Sequence, residues 1–273
     1  MRTIAHISDL HFGRVNERLL EPLRRAVTAL EPHVVVVSGD LTQRARPEEF
    51  RQAREFLDSL PKPQVVVPGN HDVPLYNVFQ RFVQPLDKYR SIFGGDLEPS
   101  HVDEELAVVG VNTARSLTFK GGRINEGQVE RIRERICALP DEMTKILVTH
   151  HPFDADEARP GHVGQIVGRA AMAMKTLAQC GADVVLSGHL HATHAQSSAE
   201  RYGIEGYAAL VVQAGTATST RARGEPNSFN VLRIEPLQIA IDEYAWDEGT
   251  GRFSVMQTRA FRRTPKGWAP ALS

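Results

Sequence analysis

Short apolar runs alternate with helical patterns through the first two thirds of the chain. Residues 34–37 are all valine, an uninterrupted apolar run typical of a strand that is covered on both faces. Pro47 suits the first turn of a helix, and Asn125 with Gln128 forms the pattern of a capping box at the start of another. This alternation predicts β–α–β units and a sheet with a parallel portion.

The apolar runs in this region predict strands at residues 3–7, 34–37, 64–67, 106–111, 145–149 and 183–187. Helices are predicted at about residues 16–30, 47–60, 125–138 and 170–179. Helical periodicity ends after Gly188, and the strands predicted beyond it are residues 207–213, 228–234, 238–244 and 252–257. We therefore predict an α/β region followed by a mostly β final third.

The length of 273 residues suffices for one sizeable α/β domain with its own core. We expect a single domain over residues 1–263, with a small insertion near residues 74–100, where helical signals are weak. Residues 264–273 include Pro265 and Gly267, and we expect them to form a flexible tail.

Composition and charge restrict the classes of partner. Apolar residues make up 41% and charged residues 24% of the chain, and the formal net charge is −1. Since binding to a long nucleic acid needs a basic face, we expect no such partner. No apolar run approaches the roughly 18 residues of a membrane helix, so we expect no integral membrane contact. The N-terminus turns polar at Ser8, which argues against a signal peptide.

The two cysteines lie far apart in the chain. Cys137 and Cys180 fall in separate helical patterns, and no CxxC motif is present. This arrangement predicts reduced, packed thiols and a cytoplasmic protein.

Polar residues follow five of the predicted strands at the point where each strand ends. These segments are Asp9-Leu10-His11, Gly39-Asp40, Gly69-Asn70-His71-Asp72, His150-His151-Pro152 and Gly188-His189-Leu190-His191. In open α/β sheets the loops that leave the carboxyl ends of strands meet along one edge, where ligands bind. We therefore expect the Asp, His and Asn side chains of these loops to converge.

Carboxylate, imidazole and amide ligands together favour borderline divalent metals, among them iron, manganese, zinc and cobalt. The five segments hold enough ligands for two ions, and Asp40 is the best candidate to bridge them. Two adjacent cations activate a water molecule and neutralise charge on a phosphoryl group, which suits in-line displacement at phosphorus.

This ordered set of segments resembles the calcineurin-like metallophosphoesterase family, and all five blocks match over residues 8–191. The resemblance implies an αββα fold, a two-sheet β-sandwich flanked by helices. It also implies that one metal is held by Asp9, His11, Asp40 and His191. The second metal would be held by Asp40, Asn70, His150 and His189. Either histidine of the adjacent pair could be the ligand, and the family pattern favours His150 over His151.

The resemblance gives His71 and Asp72 catalytic roles. His71 would stabilise the phosphoryl group and protonate the leaving oxygen, and Asp72 would orient His71. Because a guanidinium fork matches phosphate oxygens, we expect one or two of six arginines to contact substrate. The six are Arg14, Arg44, Arg46, Arg115, Arg221 and Arg223. His162 is a further candidate for substrate contact.

Together these features predict a phosphoesterase that uses a hydroxide bridging two metals to cleave a small phosphodiester. Within the family, the chain looks most like bacterial cyclic-nucleotide (class III) phosphodiesterases. A pyrophosphatase for nucleotide lipids of the UDP-diacylglucosamine type is an alternative, although that group commonly carries Arg where this chain has His71. A phosphomonoesterase is another. A scaffold that has lost its metals is disfavoured because every expected ligand is present. A homodimer is possible.

Overall fold

Two β-sheets organise the computed structural model, which describes residues 1–75, 77–118, 121–156, 162–221 and 224–271. The strands are β1 (Arg2–Ile7), β2 (Val34–Ser38), β3 (Gln64–Val67), β4 (Ser100–Val102), β5 (Leu106–Gly110), β6 (Thr144–Val148), β7 (Val184–Ser187), β8 (His194–Ser197), β9 (Leu210–Gln213), β10 (Ser228–Glu235), β11 (Gln238–Asp247), β12 (Arg252–Thr264) and β13 (Gly267–Pro270). The helices are α1 (Leu20–Ala29), α2 (Pro47–Asp58), α3 (Val78–Val83), α4 (Asp87–Phe93), α5 (Glu126–Ile136), α6 (Ala170–Gln179) and α7 (Ala199–Tyr202).

The first sheet runs in the order β13-β12-β11-β10-β1-β2-β3, and the second in the order β4-β5-β6-β7-β9-β8. In the first sheet β1, β2 and β3 are parallel, and β10 to β13 continue the sheet as antiparallel strands. In the second sheet β5, β6, β7 and β9 are parallel, with antiparallel β4 and β8 at its edges. The polar segments identified in the sequence therefore lie in loops at the carboxyl ends of parallel strands.

The core has three layers of buried apolar residues, and together they account for the αββα architecture. The middle layer joins the two sheets, with Ile4 and Val36 from the first sheet and Ile146 and Leu186 from the second. A second layer packs α1 and α2 against the first sheet, and a third packs α5 and α6 against the second. Strands buried on both faces explain the uninterrupted apolar runs. The predicted fold class is confirmed.

The segment near residues 74–100 is more regular than its weak sequence signals indicated. It contains α3, α4 and the start of the edge strand β4. Tyr89 of α4 is buried, and its hydroxyl donates to the carbonyl oxygen of Val66 in β3. This segment therefore packs on the first sheet.

The expected flexible tail is wrong for the described residues after 263. Gly267–Pro270 forms β13, which pairs with β12 in antiparallel register. Trp268 is buried, and its Nε1 donates to Asp183 at 2.9 Å. The turn-forming residues that suggested fraying instead form the hairpin between β12 and β13, because the chain folds back to bury Trp268.

The expectation of two reduced cysteines is also wrong. Cys137 and Cys180 form a disulfide with a sequence separation of 43. They occupy the C-terminal caps of α5 and α6, two helices that share a core layer, so packing brings together residues that sequence distance separates. Because disulfides persist mainly in oxidising environments, this bond weighs against the cytoplasmic location, which stays a prediction. Among the described residues, no helix combines the length and apolarity of a membrane span.

Candidate metal centre

The predicted polar segments lie at the carboxyl ends of β1, β2, β3, β6 and β7, and the structure brings their side chains together. Asn70, His71 and Asp72 form a short 3₁₀ turn directly after β3. The other segments leave their strands as tight turns. Gly39 is held so closely that a Cβ there would lie 2.7 Å from His150 Nδ1. Glycine at this position thus allows two strand ends to approach each other.

Backbone strain is concentrated in these turns. Five predicted ligands have a positive φ between 51° and 75°, namely Asp9, His11, Asp40, His189 and His191. This region is uncommon for residues other than glycine and costs of order 1–3 kcal/mol at each position. Strain that the surrounding fold maintains at several convergent polar residues is typical of a functional site.

The first predicted ligand set is closely gathered and buried. His11 Nε2 lies 3.5 Å from Asp9 Oδ1 and 3.6 Å from Asp40 Oδ2. His191 Nε2 lies 3.3 Å from His11 Nε2 and 3.3 Å from Asp9 Oδ1. Two imidazole nitrogens that face each other beside two carboxylates are a natural pair of ligands for one cation.

The second predicted ligand set lies on the other side of Asp40. His150 Nε2 is 3.3 Å from Asp40 Oδ1 and 3.0 Å from Asn70 Oδ1. His189 Nδ1 is 3.0 Å from the same Asn70 oxygen and 3.3 Å from His150 Nε2. Asp40 therefore presents one carboxylate oxygen to each set, as a bridging ligand must.

The spacing of the donor atoms fits metal ions. Ligand atoms about 2.1 Å from one cation are separated by about 3–3.5 Å, close to the separations within both sets. Asp9 Oδ1 is buried and has no hydrogen-bond donor within the described part of the chain, although it faces two imidazoles. His150 Nδ1 lies 2.7 Å from the Ser38 carbonyl oxygen, and its Nε2 faces Asp40 and Asn70. His151 also offers a ligand atom within 4.8 Å of those of His150 and His189, so the choice of His150 stays a prediction. The residues present thus suit two cations.

The buried carboxylates of the cluster attract positive charge. Burial alone would raise the pKa of Asp40, but His150, His71 and His11 outweigh it and hold this pKa well below its ordinary value. Burial likewise opposes protonation of His150, yet Asp40 and Asp9 raise its pKa to about 9. Bound cations would supply the positive charge that these carboxylates attract.

Hydroxyl groups outside the predicted set support the first ligand loop. Thr216 Oγ1 donates to the Asp9 carbonyl oxygen at 2.7 Å, and Thr218 Oγ1 donates to the Leu10 carbonyl oxygen at 2.9 Å. Ser8 Oγ donates to Asp9 Oδ2 at 2.6 Å. The threonines follow β9, some 200 residues from the loop they hold, and only their polar pattern after a strand could have pointed to them.

Asp72 does not orient His71 as predicted. Its carboxylate accepts hydrogen bonds from the backbone N–H groups of Gly69, Leu41 and Thr42 at 2.8 to 3.2 Å, and also from Thr42 Oγ1. Burial and the charge of Asp40 raise the pKa of Asp72 to about 6. Its contacts join the loop after β2, which carries Asp40, to the loop after β3, which carries Asn70.

His71 is instead positioned by a backbone carbonyl and an arginine. Its Nδ1 lies 2.9 Å from the Gln43 carbonyl oxygen, and its Nε2 lies 3.0 Å from Arg221 Nη1. The backbone N–H of His71 donates to Asp40 Oδ1 at 2.8 Å. The His71 ring therefore stands at the edge of the cluster, with Arg221 beside it.

The remaining substrate-contact candidates separate into different environments. The Arg115 guanidinium donates to the carbonyl oxygens of Asn112 and Ala114 and to Gln128, so its hydrogen bonds serve the fold. Arg14 and Arg44 are exposed, and His162 is buried. Arg46 is exposed at the start of α2, and Arg223 lies outside the described residues. Arg221 contacts His71 at the edge of the cluster.

With fold and geometry established, comparison with known proteins defines the family. Residues 2–193 match the calcineurin-like phosphoesterase family, and the chain belongs to it. The chain is 36% identical over 172 residues to glycerophosphodiester phosphodiesterase GpdQ of Enterobacter lignolyticus. This alignment covers 57% of this chain and 59% of that protein. It is 28% identical over 166 residues to 3′,5′-cyclic adenosine monophosphate phosphodiesterase CpdA of Escherichia coli K12, covering 56% of each.

Both matches span less than two thirds of the relative's length. Among solved structures, purple acid phosphatase PPD1 from yellow lupin (Lupinus luteus) seeds aligns with a TM-score of 0.72 and 12% identity. That alignment covers 95% of this chain and 53% of the phosphatase, and at this identity it speaks for the fold alone. The resemblance noted from the five segments is confirmed.

Proposed function

We propose that the chain hydrolyses a small phosphodiester at a centre of two metal ions. The observation that carries this proposal is the position of Asp40, whose Oδ2 faces His11 while its Oδ1 faces His150. Two sets of nitrogen and oxygen donors share this one buried carboxylate. Iron, manganese, zinc and cobalt all suit such donors.

When bound, two such cations supply charge neutralisation at a phosphoryl group and an activated water. The chain's own residues would hold them as Asp9, His11, Asp40 and His191 on one side and Asp40, Asn70, His150 and His189 on the other. The shared carboxylate fixes the two sets next to each other, so a phosphoryl group can contact both.

His71 and Arg221 would complete the site at its edge. His71 Nδ1 forms a hydrogen bond with the Gln43 carbonyl oxygen, so Nε2 is the atom that can hold a proton for the leaving oxygen. Burial lowers the pKa of His71, and the positive charge of Arg221 adds to this effect, although Asp40 opposes it. A phosphoryl group docked against Arg221 would balance that positive charge and favour protonation of His71 Nε2.

The names of the two relatives support a diester substrate over other phosphate esters. GpdQ and CpdA are both named for phosphodiesters, a glycerophosphodiester and a cyclic nucleotide. The net charge of −1 agrees with a small substrate rather than a long nucleic acid. Nucleotide-lipid pyrophosphates and phosphomonoesters are the alternatives that a substrate panel must include.

The test is a substrate panel on protein of defined metal content. It offers cyclic nucleotides, glycerophosphodiesters, aryl phosphodiesters and monoesters, and nucleoside-diphosphate lipids. We expect two equivalents of metal and turnover of at least one diester class. Asp40→Asn should lose both metal and activity, whereas Asp58→Asn, an exposed change on α2, should lose neither. Fully metallated wild-type protein that cleaves no diester would contradict the proposal.

Sedimentation of the same metallated protein addresses the homodimer, which stays a prediction.

A further inference from the structure

The His189 ring is contacted at both of its nitrogens. Its Nδ1 faces the second ligand set, 3.0 Å from Asn70 Oδ1 and 3.3 Å from His150 Nε2. Its Nε2 lies 3.1 Å from Oε1 of Gln165, a residue from the segment between β6 and α6. Gln165 belongs to none of the five polar segments, and its contact is with the ring edge that points away from Asp40 and Asn70.

This contact selects one form of the imidazole. A neutral histidine carries one N–H, and the amide oxygen of Gln165 can only accept a hydrogen bond. The proton of His189 therefore belongs on Nε2, which leaves the lone pair on Nδ1. That lone pair points to the place where Asn70 and His150 also direct their ligand atoms. Partners of this kind orient metal-binding histidines and strengthen their binding.

Gln165 is itself held in place by its segment. Its backbone N–H donates to the carbonyl oxygen of His162 at 3.2 Å. Two residues later, the N–H of Val167 donates to the Pro152 carbonyl oxygen at 2.8 Å, next to the metal-binding loop after β6. Gly168 is tied to Gly122 by a further hydrogen bond of 2.9 Å. The amide is half-buried, so water competes only weakly for its oxygen.

We propose that Gln165 is a positioning residue for the second cation, acting by fixing the orientation and tautomer of His189. The proposal rests on the metal centre of the proposed function. It predicts that Gln165 strengthens binding at the Asn70, His150 and His189 set and has little influence on the set that contains His11.

The test compares Gln165→Leu with Gln165→Glu, using Co²⁺ titrated into metal-free protein and followed by calorimetry and visible absorption. Gln165→Leu removes the acceptor at similar size, and Gln165→Glu keeps an oxygen acceptor. We expect Gln165→Leu to weaken one of two binding events by about 10- to 100-fold. Gln165→Glu should retain both events. Gln52→Leu, an equal change at an exposed position of α2, is the control.

Nitrogen NMR of the wild-type protein gives a second measurement that needs no variant. With metal bound, His189 should show a protonated Nε2 and a metal-shifted Nδ1. Wild-type affinity for both ions in Gln165→Leu, or a protonated Nδ1 in the wild type, would overturn the inference. Failure of the wild type to bind a second Co²⁺ would instead overturn the proposed metal centre, so the two failures are distinguishable.

Discussion

Arg221 lies with Nη1 3.0 Å from Nε2 of His71, and this contact joins the loop after β9 to the turn after β3. The backbone N–H of Arg221 donates to Ser219 Oγ, and no acidic side chain pairs with its guanidinium within the described part of the chain. An arginine that is half-buried beside a cluster of metal ligands and lacks a carboxylate partner is suited to a phosphate oxygen.

We therefore predict that Arg221→Ala lowers kcat/KM for the best diester by about 10- to 100-fold, the equivalent of one charge-assisted hydrogen bond. Arg221→Lys should recover only part of this loss, because lysine keeps the charge without the planar fork. Metal content should stay unchanged in both variants. Steady-state kinetics measures these effects, and Arg25→Ala, a change at an exposed arginine of α1, is the control. The prediction is wrong if Arg221→Ala and Arg25→Ala have the same kcat/KM.

The disulfide gives a prediction about stability. Cys137 and Cys180 are 43 residues apart, and closing a loop of that length removes enough entropy from the unfolded chain to stabilise the fold by about 4 kcal/mol. We expect the double variant Cys137→Ser, Cys180→Ser to lose about this much free energy of unfolding in urea.

The same loss should appear when the wild-type protein is treated with a reductant, and the reductant should leave the double variant unchanged. Thiol titration of denatured, unreduced protein should detect no free thiol. Two titratable thiols would restore the original expectation of reduced cysteines.

Asp72 should matter for stability as well as for activity. Its carboxylate accepts hydrogen bonds from Gly69, Leu41 and Thr42, and it is buried. Leaving buried donors unsatisfied costs about 1–3 kcal/mol for each group, so Asp72→Ala should lose at least about 3 kcal/mol of unfolding free energy. Chemical denaturation measures this loss.

A residue that acted only by orienting His71 would lower activity and leave stability nearly unchanged. Asp58→Ala provides the comparison, because Asp58 is exposed and its ion pairs with Arg54 and Lys62 contribute about 1 kcal/mol or less. Equal stabilities of the two variants would mean that the contacts of Asp72 are dispensable.

The sequence pattern anticipated the ligand cluster because the relevant information is local. Each ligand directly follows an apolar strand, and parallel strands bring their carboxyl ends to one edge whatever the rest of the chain does. The pattern of strands and helices likewise predicted most strands of both sheets and the helices α1, α2, α5 and α6, with shifts at their ends, but it missed the edge strands β4, β8 and β13.

What the sequence did not predict depends on contacts between distant residues. The disulfide joins residues that are 43 positions apart, and the hydrogen bond from Thr216 to the Asp9 carbonyl oxygen joins residues that are 207 positions apart. The family resemblance implied that Asp72 orients His71, whereas its carboxylate turns towards Leu41 and Thr42 in another loop. Trp268 is buried against Asp183, which lies 85 residues earlier. No periodicity or local motif encodes such pairings.

That buried carboxylate leads to a prediction about pH. Asp183 accepts hydrogen bonds from the Lys145 backbone N–H and from Trp268 Nε1, both at 2.9 Å, and Arg263 lies 3.5 Å away. Burial nevertheless dominates and raises the pKa of Asp183 above its ordinary value of 3.8. A raised pKa means that the folded protein binds the proton more tightly than the unfolded chain does. The stability that this proton contributes is present in acid and lost as pH rises through the raised pKa.

We therefore expect the unfolding free energy of the wild type, relative to Asp183→Asn, to fall as pH rises from acid towards neutral and then to level off. Urea titrations of both proteins across that range measure the difference, in which contributions from all other groups cancel. Asp58→Asn should show the opposite slope, because hydrogen bonding by Arg54 lowers the pKa of Asp58 and its small contribution is lost as pH falls. If the Asp183 and Asp58 differences ran in the same direction, burial would not be the effect that governs Asp183, and its hydrogen bonds with Lys145 and Trp268 would be.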